Sequence, residues 1–411
     1  MISKRLWKLV RLSRQLWVRA SLIALLAIFA AIAGVLLEPI IPAAIAERIG
    51  EDAVMPLLNV LASSMLAVTT FSLSAMVNAH RAASSQVTPR SHRLLREDTT
   101  TQTVLATFLG AFIFALVSII LFRAGLHDGA APVVFFAFTV LVVALVVLAI
   151  LRWIDHLSRL GSMDETISQV EASARRTLAR QRAAPSLGAR PLPAGRAAIP
   201  DGAEPVRAQR GGYVQFVDMA GLSALADEAG AEIFLTAAPG TFVVSGMPIA
   251  HFTPESSLSQ DAIRAAFEID EVRSFDQDAR FALVVLSEIA SRALSPGLND
   301  PGTAIDVIGR LERLLAECDQ EDQEVRYPRL WAPLVGADDL IEDAFDAIAR
   351  DGAGMVEVMR RLIHALNTLR EGEDKAMSKA AEHMVKRALA HAERSLALEE
   401  DRASLAALAD R

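Results

Sequence analysis

The spacing of apolar and polar positions divides the chain into two parts. Before residue 154, four apolar stretches run near residues 20–37, 54–79, 103–122 and 131–153. Each is about 20 residues long, enough to cross a hydrocarbon core of about 30 Å. Beyond them the pattern turns amphipathic. "SMDETISQVEASARRTLARQR" opens with a capping box from Ser162 to Glu165 and places Ile167, Val170, Ala174 and Leu178 at helical spacing, which predicts a cytoplasmic helix over 161–182.

Residues 183–210 are rich in Pro, Gly and Ala and have no apolar period, so they read as a linker or disordered loop. After that, "GYVQFVD" alternates like a strand. "MAGLSALADEAG" reads as a short helix closed by Gly230, and "EIFLTAAPGTFVVSGMPIAHF" reads as strands joined at Pro239-Gly240 and Gly246. Together these predict a small β-rich module over 211–255. Residues 256–411 read as a helical domain, with "AFEIDEVRSF" returning a strand to the module.

The fold class expected is therefore an α-helical membrane protein with four transmembrane helices, carrying a cytoplasmic α+β region made of a small β-rich module and a helical domain. Charge sets the orientation. Residues 1–182 carry a net charge of +7 and the remainder −15, for a total of −8. Arg and Lys gather in the basic juxtamembrane segment 1–19, between the second and third spans (Arg81, Arg90, Arg93, Arg96) and after the fourth. The other two connections hold Arg48 and Arg123 alone, so the transmembrane domain, 20–160, should have both termini in the cytoplasm.

Composition removes several chemistries. Cys318 is the only cysteine, so no intrachain disulfide or cysteine-based metal cluster forms. The five lysines (Lys4, Lys8, Lys375, Lys379, Lys386) leave the middle of the chain without an amine for a Schiff base or a P-loop. "PGTFVVSGMPIAHF" resembles the strand-turn-strand of barrel-sandwich modules such as biotinyl and lipoyl domains, but Met247 stands where the carrier lysine belongs. No HExxH, GxSxG or GxGxxG occurs, and no two histidines are spaced four apart. The expectation is a protein that is not an enzyme, with no cofactor, no metal and no nucleic-acid partner.

Three segments together carry a family resemblance: "SLSAMVNAHRAASSQVTPR", "GYVQFVD" and "RSFDQDARFALVVLSEIASRALSPGLNDPGTA". With the four spans, they resemble the bacterial predicted-membrane-protein family catalogued as domain of unknown function 2254, over nearly the whole chain. The resemblance implies this architecture and a bacterial inner-membrane location; it implies no chemistry.

Two features suggest where function lies. In the second span, Asn59, Ser63, Ala67, Thr70, Ser74 and Asn78 fall on one arc about 100° wide at 100° per residue. Such an arc either packs helices or lines a water path. The other feature is a pair of polar knots flanking an apolar helix. Arg273, Gln277 and Asp278 precede it, as a candidate site or a structural Arg–Asp pair. Ser295, Asn299, Asp300 and Thr303 follow it in "SPGLNDPGT". There Ser295-Pro296-Gly297 predicts a type II turn, and Asp300-Pro301 predicts an N-cap followed by Pro at the first helical position. Asn299 would stand beside a helix N-terminus able to hold a small ligand or anion.

The expected function is an oligomeric channel-like or transport protein in the lipid bilayer, with a cytoplasmic sensing or gating domain. The alternative is a membrane-anchored signalling or scaffold protein without conduction.

Overall fold

The structure is a computed structural model, and it describes residues 18, 21–22, 25, 28–29, 32–33, 51–86, 88–90, 99–124, 131–159, 162–193, 199–253, 258–317 and 325–410. It divides into two compact units. One holds Trp7–Gln86 and His92–Glu165. The other holds Thr166–Arg411 with Met1–Leu6 and the short segment Val87–Ser91.

In the first unit, α1 (Glu51–Gln86), α2 (Thr99–Arg123) and α3 (Ala131–Arg159) are long helices. Each contains a stretch long and apolar enough to cross a membrane: Asp52–Ala79, Thr100–Arg123 and Pro132–Leu157. Among the described residues there are thus three such helices, not four. The expected first span, 20–37, and the basic segment before it lie outside the described residues, apart from a few helical positions. One of these, Phe29, meets Phe138 edge-on at 6.0 Å. The core of this unit joins Leu58, Leu61 and Met65 of α1 to Phe108 and Phe114 of α2 and to Phe135 and Val142 of α3.

The second unit begins in α4 (Met163–Ala183). Its Ser162 cap accepts from Glu165 N at 3.1 Å, and Ile167, Val170, Ala174 and Leu178 are all buried. Glu171, also buried, accepts from Arg310 at 2.9 Å and Arg313 at 2.6 Å. Burial opposes its charge, yet the two guanidiniums outweigh it and hold the carboxyl below its ordinary pKa.

The stretch expected to be a linker is built into a sheet. It contributes β1 (Ala189–Leu192) and β2 (Glu204–Arg207), followed by β3 (Gly212–Val217), α5 (Met219–Ala229), β4 (Ile233–Leu235), β5 (Phe242–Val243), β6 (Pro248–Phe252), α6 (Gln260–Ala265) and β7 (Phe267–Asp270). Gly230 closes α5 in the left-handed region at φ 66°, as its position predicts. A strand inside the expected helical domain, β8 (Tyr327–Pro333), completes the larger sheet, whose order is β1-β8-β4-β6-β2. A second sheet runs β5-β3-β7. Ile233, Leu235, Ile249, Leu330, Val214 and Leu222 fill the space between these elements and α5.

The helical part holds α7 (Ala279–Ala293), α8 (Pro301–Ala316), α9 (Ala337–Asp351), α10 (Val356–Arg370), α11 (Lys375–Ser395) and α12 (Glu399–Ala409). Helix α7 is buried along most of its length, with Phe281, Leu283, Val285, Leu286 and Ile289 nearly inaccessible.

Candidate functional site

Helix α7 and helix α9 lie side by side and parallel. Near their starts, Arg280 pairs with Asp339 at 2.9 Å and Asp343 at 2.5 Å. At their ends, Ser291 Oγ donates to Asp351 Oδ2. Both C-termini, where helix dipoles are negative, therefore come to the same place.

That place is a cleft of about 1040 Å³. Its walls are Glu288, Ser291 and Arg292 of α7, the Leu294–Pro296 turn, Asn299, Asp351 and Met355, with Thr88, Pro89 and Arg90 closing one side. Arg90 Nη1 donates to Glu288 Oε1, and Thr88 beside it is buried. Burial pushes the Glu288 carboxyl above its usual pKa, with Arg90 and then Arg273 pulling it back. Asp351 behaves in the opposite way. Burial opposes its charge, but hydrogen bonds from Arg350 and Ser291 more than offset that and lower its pKa.

The two polar knots of the sequence sit at opposite ends of α7, a helix of 15 residues or about 22 Å, and do not line one pocket. At the first knot, Asp278 caps α7 by accepting from Phe281 N at 3.1 Å. It also takes both Arg273 Nε at 2.8 Å and Nη2 at 2.7 Å. The Arg273 guanidinium lies 4.8 Å from the centroid of the Phe281 ring. Gln277 clamps the backbone of Val217 in β3, accepting from its N at 2.8 Å and donating to its O at 3.2 Å. This knot welds α7 to the β module and is closed to a ligand: Asp278 is 4% exposed, and the Gly240 turn packs directly on its carboxylate.

The second knot is split. Ser295 and Asn299 line the cleft, while Asp300 and Thr303 turn to each other. Asp300 Oδ1 accepts from Thr303 N at 3.1 Å and Oδ2 from Thr303 Oγ1 at 2.5 Å. The N-terminus of α8 thus already carries a carboxylate as its N-cap, where an anionic ligand was expected. The type II turn is also absent. Leu298 N and Asn299 N both donate to Ser295 O, and the left-handed residue is Asn299, at φ 48°, rather than Gly297. Asparagine tolerates that region, so one more residue is wound before the chain reverses.

In the membrane unit, Asn59, Ser63, Ala67, Thr70, Ser74 and Asn78 are all exposed, while Val54, Leu58, Leu61 and Met65 of the same helix are buried. The hydroxyls donate to their own helix: Ser63 Oγ to Val60 O at 3.2 Å, Thr70 Oγ1 to Leu66 O at 2.9 Å and Ser74 Oγ to Thr70 O at 3.0 Å. Helix α1 is the least apolar of the three helices long and apolar enough to cross a membrane and also the least covered, with 17% of its most apolar stretch buried against 50% in α2 and 33% in α3.

Sequence reasoning did not single out Arg90, Glu288, Ser291 or Asp351. A signal existed for one of them, because Glu288 is the sole carboxylate in the apolar α7. The others come together only through the parallel pairing of α7 and α9.

A family model described as "Predicted membrane protein (DUF2254)" matches residues 13–368. Two mycobacterial proteins are similar to the chain: "Uncharacterized protein Mb1321c" of Mycobacterium bovis and "Uncharacterized protein Rv1290c" of Mycobacterium tuberculosis. Each is 27% identical over 387 residues, covering 86% of this chain and 71% of the relative. No solved structure matches the chain.

Proposed function

The chain belongs to the DUF2254 family of predicted membrane proteins, and we propose that it acts in the bacterial inner membrane as an oligomeric, channel-like protein whose second span lines the path, with both termini and the second unit in the cytoplasm as the sensing part. The observation that carries this reading is an inversion in the membrane unit. A helix facing lipid should be the most apolar one, because lipid offers polar side chains no partner. Here the least apolar spanning helix is the least covered, and its exposed face holds Asn59, Ser63, Thr70, Ser74 and Asn78. Copies of the chain arranged around that face would take it out of lipid.

The chemistry of the face suggests what passes. Each of Ser63, Thr70 and Ser74 spends its one donor on a backbone carbonyl, so it presents outward the lone pairs of an acceptor. An acceptor-rich path suits water and small cations better than anions.

The test is flux in liposomes loaded with ion-sensitive dyes, with and without cytoplasmic extract. The parent should pass monovalent cations faster than anions. A Ser63→Val, Thr70→Val double variant, similar in volume but without the two hydroxyls, should pass little. A parent silent toward monovalent cations, divalent cations and anions overturns the channel. If the double variant of such a silent protein shifts the oligomer distribution, the arc packs copies together in a membrane-anchored scaffold.

A further inference from the structure

We propose that the cleft at the joint C-termini of α7 and α9 is a receiving site for a guanidinium-bearing small molecule, and that Arg90 is its tethered occupant, seated on the cleft's available carboxylate in this structure. The inference stands on the second unit alone and does not depend on conduction.

Four observations support it. First, the cleft lies where two parallel helices end, so both dipoles favour a cation there. Second, only one of its two carboxylates is available to a ligand. Asp351 is taken by Arg350 through both oxygens, at 2.7 and 3.1 Å, and by Ser291, which leaves Glu288. Third, Glu288 already holds a guanidinium, that of Arg90, which arrives on Val87–Ser91 rather than from a neighbouring helix of the bundle. Fourth, the cleft is far larger than the one side chain at its mouth, and Arg90 remains 48% exposed. Leu294, Pro296 and Met355 offer an apolar wall to an organic stem.

A metal ion fits less well, since among the described residues no group of three His, Cys, Asp or Glu is placed to hold one. An anion would face Glu288 and two negative helix ends. The walls do hold two cations, Arg90, which is paired with Glu288, and Arg292, which stands against Glu288, Asp351 and those helix ends. A planar fork of N–H donors matches what is present, with Glu288 to balance the charge and the Ser295 and Asn299 oxygens within the same walls.

A tethered occupant lowers the apparent affinity for a free one by the fraction of time it is seated. If Arg90 is seated about nine-tenths of the time, removing it should tighten binding about tenfold. The probe is ethylguanidinium, with the uncharged isostere ethylurea as control, titrated into the full-length protein in detergent by calorimetry. Arg90→Gln should bind ethylguanidinium about tenfold more tightly than the parent and should gain nothing for ethylurea. Adding Glu288→Gln should abolish the gain. The parent offers a second reading that needs no change at Arg90. In a Cys318→Ser background, Thr88→Cys places a thiol at a buried position of the same segment. Ethylguanidinium should speed its labelling by a maleimide, and ethylurea should not. Equal affinity of Arg90→Gln and parent, a gain that survives Glu288→Gln, or labelling indifferent to ethylguanidinium each overturns the proposal. These readings involve no flux, so they fail or succeed separately from the channel.

Discussion

The two ends of α7 are built from the same kinds of residue and behave as opposites. At the N-terminal end, Asp278 is 4% exposed and locked to Arg273, and Gln277 holds the backbone of β3. At the C-terminal end, the helix opens into a cleft, and the next cap, Asp300, is exposed. Arg–carboxylate pairs occur at both ends, Arg273–Asp278 at one and Arg90–Glu288 at the other. Burial is what distinguishes a weld from a latch. A pair largely withdrawn from water cannot exchange its partner without leaving a bare charge in a poorly polarisable interior, whereas a more exposed pair can.

The sharpest way to break this comparison is to cut the weld. Asp278→Ala strands the largely buried Arg273 guanidinium and removes the α7 cap, which should cost about 3–5 kcal/mol. Gly240→Ala should do comparable damage from the other side, because its Cβ collides with the Asp278 carboxylate and φ is 90°. Thermal unfolding of the full-length protein in detergent reads both. A loss under about 1 kcal/mol in either variant would mean that the knot is not structural. Gln277→Ala comes next, at about 1–3 kcal/mol, since it leaves two part-buried backbone groups of Val217 without their partner.

The corner should respond far less. Asn299→Ala places an alanine in the left-handed region and should cost about 1 kcal/mol, while Asn299→Gly should be close to neutral. Equal losses in the two would deny the conformational explanation.

The smallest effect, and the most diagnostic, is in pH dependence. Burial raises the Asp278 pKa, with Arg273 opposing it, so the contribution of that carboxyl is full below its unfolded pKa and declines as pH rises through its folded value. Hydrogen bonds from Thr303 lower the Asp300 pKa, so its contribution is full above the unfolded pKa and declines as pH falls through the folded value. Asp278→Asn should therefore remove a slope that lies above about pH 4, and Asp300→Asn a slope of opposite sign that lies below about pH 4. Asn also caps helices well, which keeps the second change small at neutral pH. Two tilts of the same sign would refute the contrast between the ends.

Local chemistry was readable wherever it acts within a few residues. The Ser162 cap, the Gly230 stop, the Asp300 cap and the β3 strand all stand where the chain predicts them. What escaped depends on distant pairing. β1 and β2 contain Pro191 and Pro205 and look like linker, but they form the two edges of the larger sheet, where a missing N–H costs no ladder bond. β8 carries Pro328, which falls inside the register shift against β1, and so its strand character is disguised. The cleft was invisible for a similar reason, since Ser291 and Asp351 come together only because α7 and α9 run parallel.

The position of β8 governs how the chain can be made. Its neighbours β1 and β4 leave the ribosome well before it, with α7 and α8 synthesised in between. At ordinary elongation rates of about 5–20 residues per second, β4 therefore waits roughly 5–20 s for its partner. During that wait Ile233, Phe234 and Leu235, all buried in the finished fold, sit beside an unpaired edge that another nascent chain could join. Chains released before residue 327 would carry this open edge permanently, so premature termination there should yield insoluble fragments rather than a smaller folded module.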